Sequence, residues 1–241
     1  MSRKSHSPLH HPVHPAGVKL DKERLTVAMI TRNEEKAVAK VIRDIQGVVP
    51  DAEILVIDSS KDRTAEIAEE LGARVIKQFP PKGYGPAMDR ALRSGSGEVV
   101  VTLDCADTYP VEEIPRLARM VLEQGYDLVD GSRLKSKPEA MPWINFLANW
   151  GFALMASILV GQRVTDLHSG MRAYHRDLIR DLKYEPKGAA LPVELLLRPL
   201  CEGRRVASVF IDYRERIGES TMSPLNSAWW TLKRILRARF A

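Results

Sequence analysis

Between Leu25 and Arg133 the chain switches repeatedly between two hydrophobic periods. LTVAMI (Leu25–Ile30) is a short continuous apolar run followed by turn residues, the pattern of a strand buried on both faces. Val38, Val41, Ile42 and Ile45 then recur at helical spacing, which predicts an amphipathic helix over Glu34–Gln46. EILVID (Glu53–Asp58) reads as a strand, Asp62–Leu71 as a helix stopped by Gly72, and ARVIKQ (Ala73–Gln78) as a third strand. A helix over Gly85–Arg93, a strand at EVVVTLD (Glu98–Asp104), a helix over Pro110–Gln124 and a strand at DLVDGSR (Asp127–Arg133) complete the series. This order predicts an α/β fold: a mostly parallel sheet flanked by helices on both faces.

In such sheets ligands bind beyond the carboxyl ends of the strands. That rule gathers Thr31 to Glu34, Asp58 to Ser60, Asp104 to Asp107 and Gly131 to Arg133 onto one rim. Asp104 ends an apolar run abruptly, and Asp107 follows three residues later. A hard cation holding a diphosphate would want such carboxylates; so would a helix N-cap in a solvated loop. Singly, Asp58 fits an Asx-turn, Glu34 the positive end of a helix and Asp107 an N-cap near Pro110. Together on one rim they favour a site. The chain has neither a Walker-type loop nor a dinucleotide glycine fingerprint. A nucleotide bound here would have its phosphates neutralised by a metal and arginine instead.

The formal charge of +5 points to an anionic partner: a nucleotide, a phospholipid surface or a nucleic acid. No nucleic acid is expected, because no basic strand carries interleaved aromatics. Only Cys105 and Cys201 are present, which suits a reducing, cytoplasmic setting. Residues 1–22 hold four of the six histidines among prolines, show no apolar period and read as a disordered tail. They lack the apolar centre of a signal peptide.

TRNEE, IDSSKDRT, KGYGPAMDRAL, LDCADTYPVEEIP and DLVDGSRL, in that order, resemble the GT-A glycosyltransferases of family 2. DLHSGMRAYHRDLI, VELLLRPL and RERIGES are similar to the branch of dolichyl- or polyprenyl-phosphate mannosyl- and glucosyltransferases. The resemblance implies a Rossmann-like GT-A catalytic domain over 23–221. It implies that Thr31, Asn33 and Glu34 line a nucleotide pocket, that Asp58 reads the base and that Lys82 lies near the nucleotide. Asp104 would be the first carboxylate of a loop holding Mg²⁺ or Mn²⁺, and Arg133 would face phosphate oxygens. Ser169, Gly170 and Arg172 match an element near the donor, Glu194 an acidic residue near the sugar, and Arg216 and Ser220 a mobile loop that closes over the site. Catalysis would rest on Asp104, Arg133, Glu194 and Arg216.

The chain departs from the family pattern in places. Ala106 occupies the second position of the usual Asp-x-Asp, leaving Asp107 as the candidate second metal ligand. Thr221 stands where lysine is common, and Asn145 and Asn149 where relatives place Arg and Ser.

The implied reaction is inverting transfer of one mannose or glucose from GDP-mannose or UDP-glucose to a polyprenyl phosphate at the cytoplasmic membrane face. A phosphate monoester is largely dianionic at neutral pH and needs no base. A hydroxyl acceptor would need one, with Glu194 the candidate. Two alternatives stay open: a hydroxyl acceptor, or a nucleotide-sugar or lipid-binding module impaired by Ala106. Residues 140–162 carry no formal charge and are expected to lie at the membrane interface, or to pack on the sheet near the acceptor, rather than to span a bilayer. Residues 222–241 read as a basic amphipathic helix, with Leu225, Trp229, Leu232, Leu236 and Phe240 on one stripe and Lys233, Arg234, Arg237 and Arg239 around it. Such a helix suits peripheral attachment to anionic lipid.

Overall fold

The computed structural model describes residues 17–139, 141–217 and 224–240. Most of residues 1–22, Ser220 and Thr221 therefore lie outside it, and with them the four histidines of the expected tail. Residues 17–22 rest on the domain: Leu20 is buried, and the backbone N–H of Val18 donates to Glu123.

The predicted alternation appears as β1 (Leu25–Thr31), α1 (Val38–Val48), β2 (Glu53–Asp58), α2 (Thr64–Glu70), β3 (Arg74–Lys77), α3 (Tyr84–Ser94), β4 (Val99–Asp104), α4 (Ile114–Gln124) and β5 (Leu128–Ser132). The chain continues through α5 (Trp143–Val160), β6 (Arg172–His175), α6 (Arg176–Asp181), α7 (Leu191–Cys201), β7 (Val206–Phe210) and α8 (Pro224–Phe240). The starts of α1, α2 and α4 fall later than the periodicity suggests because side chains and turns intervene, whereas α3 starts one residue earlier, at Tyr84. Asp62 accepts from the backbone N–H of Thr64 at 3.0 Å and so sits before α2. Glu34 to Val38 form a turn ahead of α1, with the Ala37 and Val38 N–H groups donating to the Glu34 carbonyl.

The sheet order is β3-β2-β1-β4-β6-β5-β7. β1–β2, β1–β4, β2–β3 and β5–β7 pair in parallel; β6 inserts antiparallel between β4 and β5. Both faces are covered, which explains the unbroken apolar runs. Val27 and Met29 of β1 face a core with Val41 and Ile42 of α1 and Leu117 of α4. Ala28 faces a second core with Met88 of α3, Leu195 of α7 and Ile235 of α8. The strand period of 2 thus sends alternate residues into two separate cores.

Candidate active site

Register brings the rim together. Thr31 pairs with Asp58, and Ile30 with Asp104, so β1, β2 and β4 end level. The buried Asp58 carboxylate accepts from Thr31 Oγ1 at 2.7 Å, Ser60 Oγ at 2.6 Å and the Ser60 N–H at 3.1 Å. Asn33 adopts a left-handed conformation (φ 60°), and its side-chain oxygen accepts from the Lys61 N–H at 2.9 Å. The Glu34 N–H donates to Thr64 Oγ1 at 2.9 Å. These bonds stitch the loop after β1 to the loop after β2.

Above this rim lies a cleft of about 200 Å³ whose walls include Thr31, Glu34, Tyr84, Asp104, Cys105 and Arg216. Among the described residues, none donates a hydrogen bond to the Asp104 carboxylate. Burial raises its pKa, against the pull of Arg133 and Arg216. Gly170 makes room for it: a Cβ at that position would sit 2.9 Å from Oδ1 and 3.0 Å from Oδ2. The glycine is itself fixed, its N–H donating to the Tyr109 hydroxyl at 2.7 Å and its carbonyl accepting from Thr102 Oγ1 at 2.8 Å. Only glycine lets the backbone approach a carboxylate this closely.

Arg216 arrives on the segment after β7. That segment is tied across the Asp104 loop by the Arg214 N–H to the Thr108 carbonyl at 2.9 Å and the Ile217 N–H to the Ala106 carbonyl at 3.0 Å. In the cleft the Arg216 guanidinium pairs with Glu34, and its buried Nε has no partner among the described residues. Burial raises the Glu34 pKa; Arg216 opposes the shift and Asp104 adds to it. The cleft therefore concentrates two carboxylates, Glu34 and Asp104, and two cations, Arg32 and Arg216, and a ligand that brings phosphates can rearrange them.

Other expected site residues stand elsewhere. Asp107 is left-handed (φ 59°), and its carboxylate accepts from Lys40 Nζ at 2.8 Å instead of joining Asp104. Arg133 does not present an open fork: Nε and Nη2 hold Asp166 at 2.7 and 3.0 Å, and the guanidinium lies over the Tyr213 ring. Burial alone would raise the Asp166 pKa. Arg133, with its own N–H and that of His168, instead holds the carboxyl well below the usual range. Arg133 thus acts on Asp104 as a fixed neighbouring charge. Ser169 donates to the Gly131 carbonyl, and Arg172 is fully buried, its fork on Asp130 (2.6 Å), the Leu167 carbonyl (3.1 Å) and the Pro192 carbonyl. These two side chains build the floor and do not enter the cleft. Glu194 is buried between Arg198 and Arg234, so it is not a free base. Lys82 is exposed between Pro81 and Gly83, which themselves line the cleft.

Sequence reading missed Tyr84, whose wall position only the α3 start reveals, and Asp166, which has no motif of its own. It placed Arg234 on the surface; its side chain is 1% exposed.

The residues fit a cation only of a certain kind. No group of three His, Cys, Asp or Glu residues is poised to hold a metal among those described. At the cleft, neither Asp104 carboxylate oxygen accepts a hydrogen bond from a described residue, whereas Glu34 has Oε1 engaged by Arg216. That suits Mg²⁺ or Mn²⁺ held by one carboxylate with the remaining oxygens from a diphosphate, and it does not suit an all-protein cage.

The description "Glycosyl transferase family 2" matches residues 26–183. The chain belongs to this family. A dolichyl-phosphate hexose transferase of Haloferax volcanii is 44% identical over 201 residues, 83% of this chain and 87% of that one. An undecaprenyl-phosphate mannosyltransferase of Micrococcus luteus is 29% identical over 215 residues, 83% of this chain and 88% of its own. Among solved structures, glucosyl-3-phosphoglycerate synthase from Mycobacterium tuberculosis, in complex with Mn²⁺, UDP and glucosyl-3-phosphoglycerate, superposes with a TM-score of 0.71 at 23% identity. It covers 96% of this chain and 86% of that one. The family 2 glycosyltransferase described here thus has the GT-A fold expected from its motifs.

Proposed function

We propose that this family 2 enzyme transfers one hexose, mannose or glucose, from a nucleotide sugar to a polyprenyl phosphate. The observation that carries the donor side is the Asp104 carboxylate, without a hydrogen-bond donor among the described residues and cradled by Gly170, in a cleft that also receives Arg216. The donor diphosphate lies at this rim, with Asp58 and Thr31 at the nucleoside end and Arg216 leaving Glu34 for the phosphates. Arg216 and the charge of Arg133 stabilise the negative charge that grows on the departing nucleoside diphosphate. A Mg²⁺ or Mn²⁺ ion on Asp104 would supply Lewis-acid stabilisation of the same charge.

On the acceptor side, the relatives' names favour a lipid phosphate. The ion pairing of Glu194 agrees, because it removes the candidate base that a hydroxyl acceptor would need. A dianionic phosphate attacks the anomeric carbon without one, and direct displacement inverts it.

The lipid is met at a membrane surface. Trp143–Val160 is long and apolar enough, by length and composition, to cross a bilayer. It packs on α7 and α8 and turns Trp143, Ile144, Leu147, Trp150 and Ile158 outward, Ile144 being 76% exposed. α8 exposes Trp229, Leu236 and Phe240. Two apolar faces of this size on neighbouring helices, with aromatic residues among them, suit peripheral seating at the headgroup layer of the cytoplasmic face.

A donor and acceptor screen tests the reading. The enzyme is incubated with GDP-mannose, UDP-glucose and other nucleotide sugars, Mg²⁺ or Mn²⁺, and a short polyprenyl phosphate. Release of nucleoside diphosphate only when the lipid phosphate is present is expected. Release that requires a lipid hydroxyl instead would overturn the acceptor, and no release with any donor would favour a binding module.

A further inference from the structure

The fully buried cation of α8 touches no part of the cleft, yet it holds a loop that does. Arg234 Nη1 donates to the Glu185 carbonyl at 2.7 Å, Nη2 to the Lys187 carbonyl at 2.7 Å, and Nε to the Ala189 carbonyl at 3.3 Å. Nη1 also meets the buried carboxylate of Glu194. One turn earlier the Trp230 ring covers Gly188, where a Cβ would lie 2.2 Å from the ring; Gly188 is left-handed (φ +88°). Residues 185–189 carry no regular structure of their own that could hold them in place. Their backbone is fixed from α8.

The other side of that loop presses on α3. A Cβ at Gly85, in the first turn of α3, would lie 1.9 Å from the Pro186 carbonyl oxygen and 2.7 Å from that of Gly188. Tyr184 donates to Asp89 of α3 at 2.7 Å. The residues flanking Gly85, namely Gly83, Tyr84 and Ala87, line the donor cleft. The two packed glycines leave no slack on either side of the loop, so a shift of α8 carries through to the cleft wall.

We propose that Arg234 and Trp230 are positioning residues for the donor: α8 straps loop 185–189 against the first turn of α3 and so sets the wall that Tyr84 presents to the nucleotide sugar. This rests on the donor reading given above. It adds that the C-terminal helix, whose other face carries Trp229, Leu236 and Phe240 outward, is part of the catalytic unit and not only an anchor.

The test uses the full chain in which Trp143, Trp150 and Trp229, all exposed, are replaced by Phe, leaving Trp230 as the single tryptophan. GDP and UDP are titrated with Mg²⁺ while calorimetry follows binding and fluorescence follows Trp230. Trp230 emission is expected to change with the same midpoint as the heat of binding. In the otherwise native chain, Trp230→Leu and Arg234→Lys are expected to raise the donor KM about fivefold with kcat changed less than about twofold, the signature of lost ground-state positioning. Trp230→Phe, which keeps a ring over Gly188, is expected to restore most of that loss. Nucleotide binding with a silent Trp230, or a folded Trp230→Leu enzyme with unchanged donor KM, overturns the proposal alone. No heat with either nucleotide overturns the donor reading and this proposal with it.

Discussion

At the scale of single residues, the cleft depends on one carboxylate and the glycine that makes room for it. Gly170→Ala would place a methyl group 2.9 Å from Asp104 Oδ1, and the fixed bonds to Tyr109 and Thr102 prevent the backbone from retreating. A displaced Asp104 is expected to lower turnover by about 10- to 100-fold, since misplacement near 1 Å has that effect. Steady-state kinetics beside a thermal melt checks this, and a variant with native turnover would show that Asp104 needs no such seat. Asp58 and Asp104 were legible in the sequence because both end apolar runs, and the rim rule then gathers them. Arg172 was not. An arginine in a glycine-flanked motif has the same letters whether it meets a phosphate or a buried partner. Asp130, which occupies it, lies 42 residues away in the chain. Asp107 reads as a ligand by spacing alone, and only α1, by bringing Lys40 to it, reveals its actual pairing.

At the scale of elements, α7 and α8 are joined by charge as much as by apolar contact. Glu194 sits between Arg198 and Arg234 with no exposed surface. Glu194→Gln takes the carboxylate from the buried Arg234 guanidinium and is expected to cost about 3 kcal/mol, a fall in melting temperature on the order of 6–12 °C. The folded fraction should keep its pH–rate profile, because in the proposed reaction Glu194 takes no proton from the acceptor; loss of the acid limb would return it to the role of base. The helix itself was predicted, and so was its apolar stripe, of which Trp229, Leu236 and Phe240 are exposed. Charge counting placed Arg234 on the surface, whereas it falls on the packed face with Thr231, Ile235 and Ala238. Replacing Trp229, Leu236 and Phe240 together by Glu should release the protein from anionic vesicles in a flotation assay without lowering its melting temperature. Continued flotation would place the seat on α5 alone. β6 (RAYH) and β7 (VASVF) escaped the sequence reading because the first has polar residues at both ends and the second lies partly exposed at the sheet edge, so neither shows the buried apolar run of β1, β2 or β4.

At the scale of the whole molecule, His168 lies where α5, α8 and the floor of the sheet meet. Its ring packs edge-on to Phe152 of α5, and Nε2 lies 2.7 Å from Thr231 Oγ1 of α8. Thr231 donates its one hydroxyl proton to the Ser227 carbonyl, so the histidine is the donor in that bond, and its buried Nδ1 accepts from none of the described residues. Burial lowers its pKa from 6.5 to about 4, with Asp166 opposing and Arg133 and Arg172 adding to the shift. The unfolded chain therefore takes up a proton below pH 6.5 that the folded one refuses until about pH 4. Stability from this residue is full above pH 6.5 and is lost as pH falls through that window. His168→Gln, which is not subject to that protonation, should flatten the decline in denaturant melts between those values; an unchanged decline would assign it to other groups.

A cation at the rim is the point on which the proposed donor binding turns, and calorimetric titration of GDP and UDP, each with and without Mn²⁺, into the native protein and Asp104→Asn addresses it most directly. Mn²⁺ should tighten nucleotide binding to the native protein, and the variant should lose at least about tenfold of that gain while keeping its metal-free affinity. Equal Mn²⁺-dependent affinity in both proteins would contradict a cation held on Asp104.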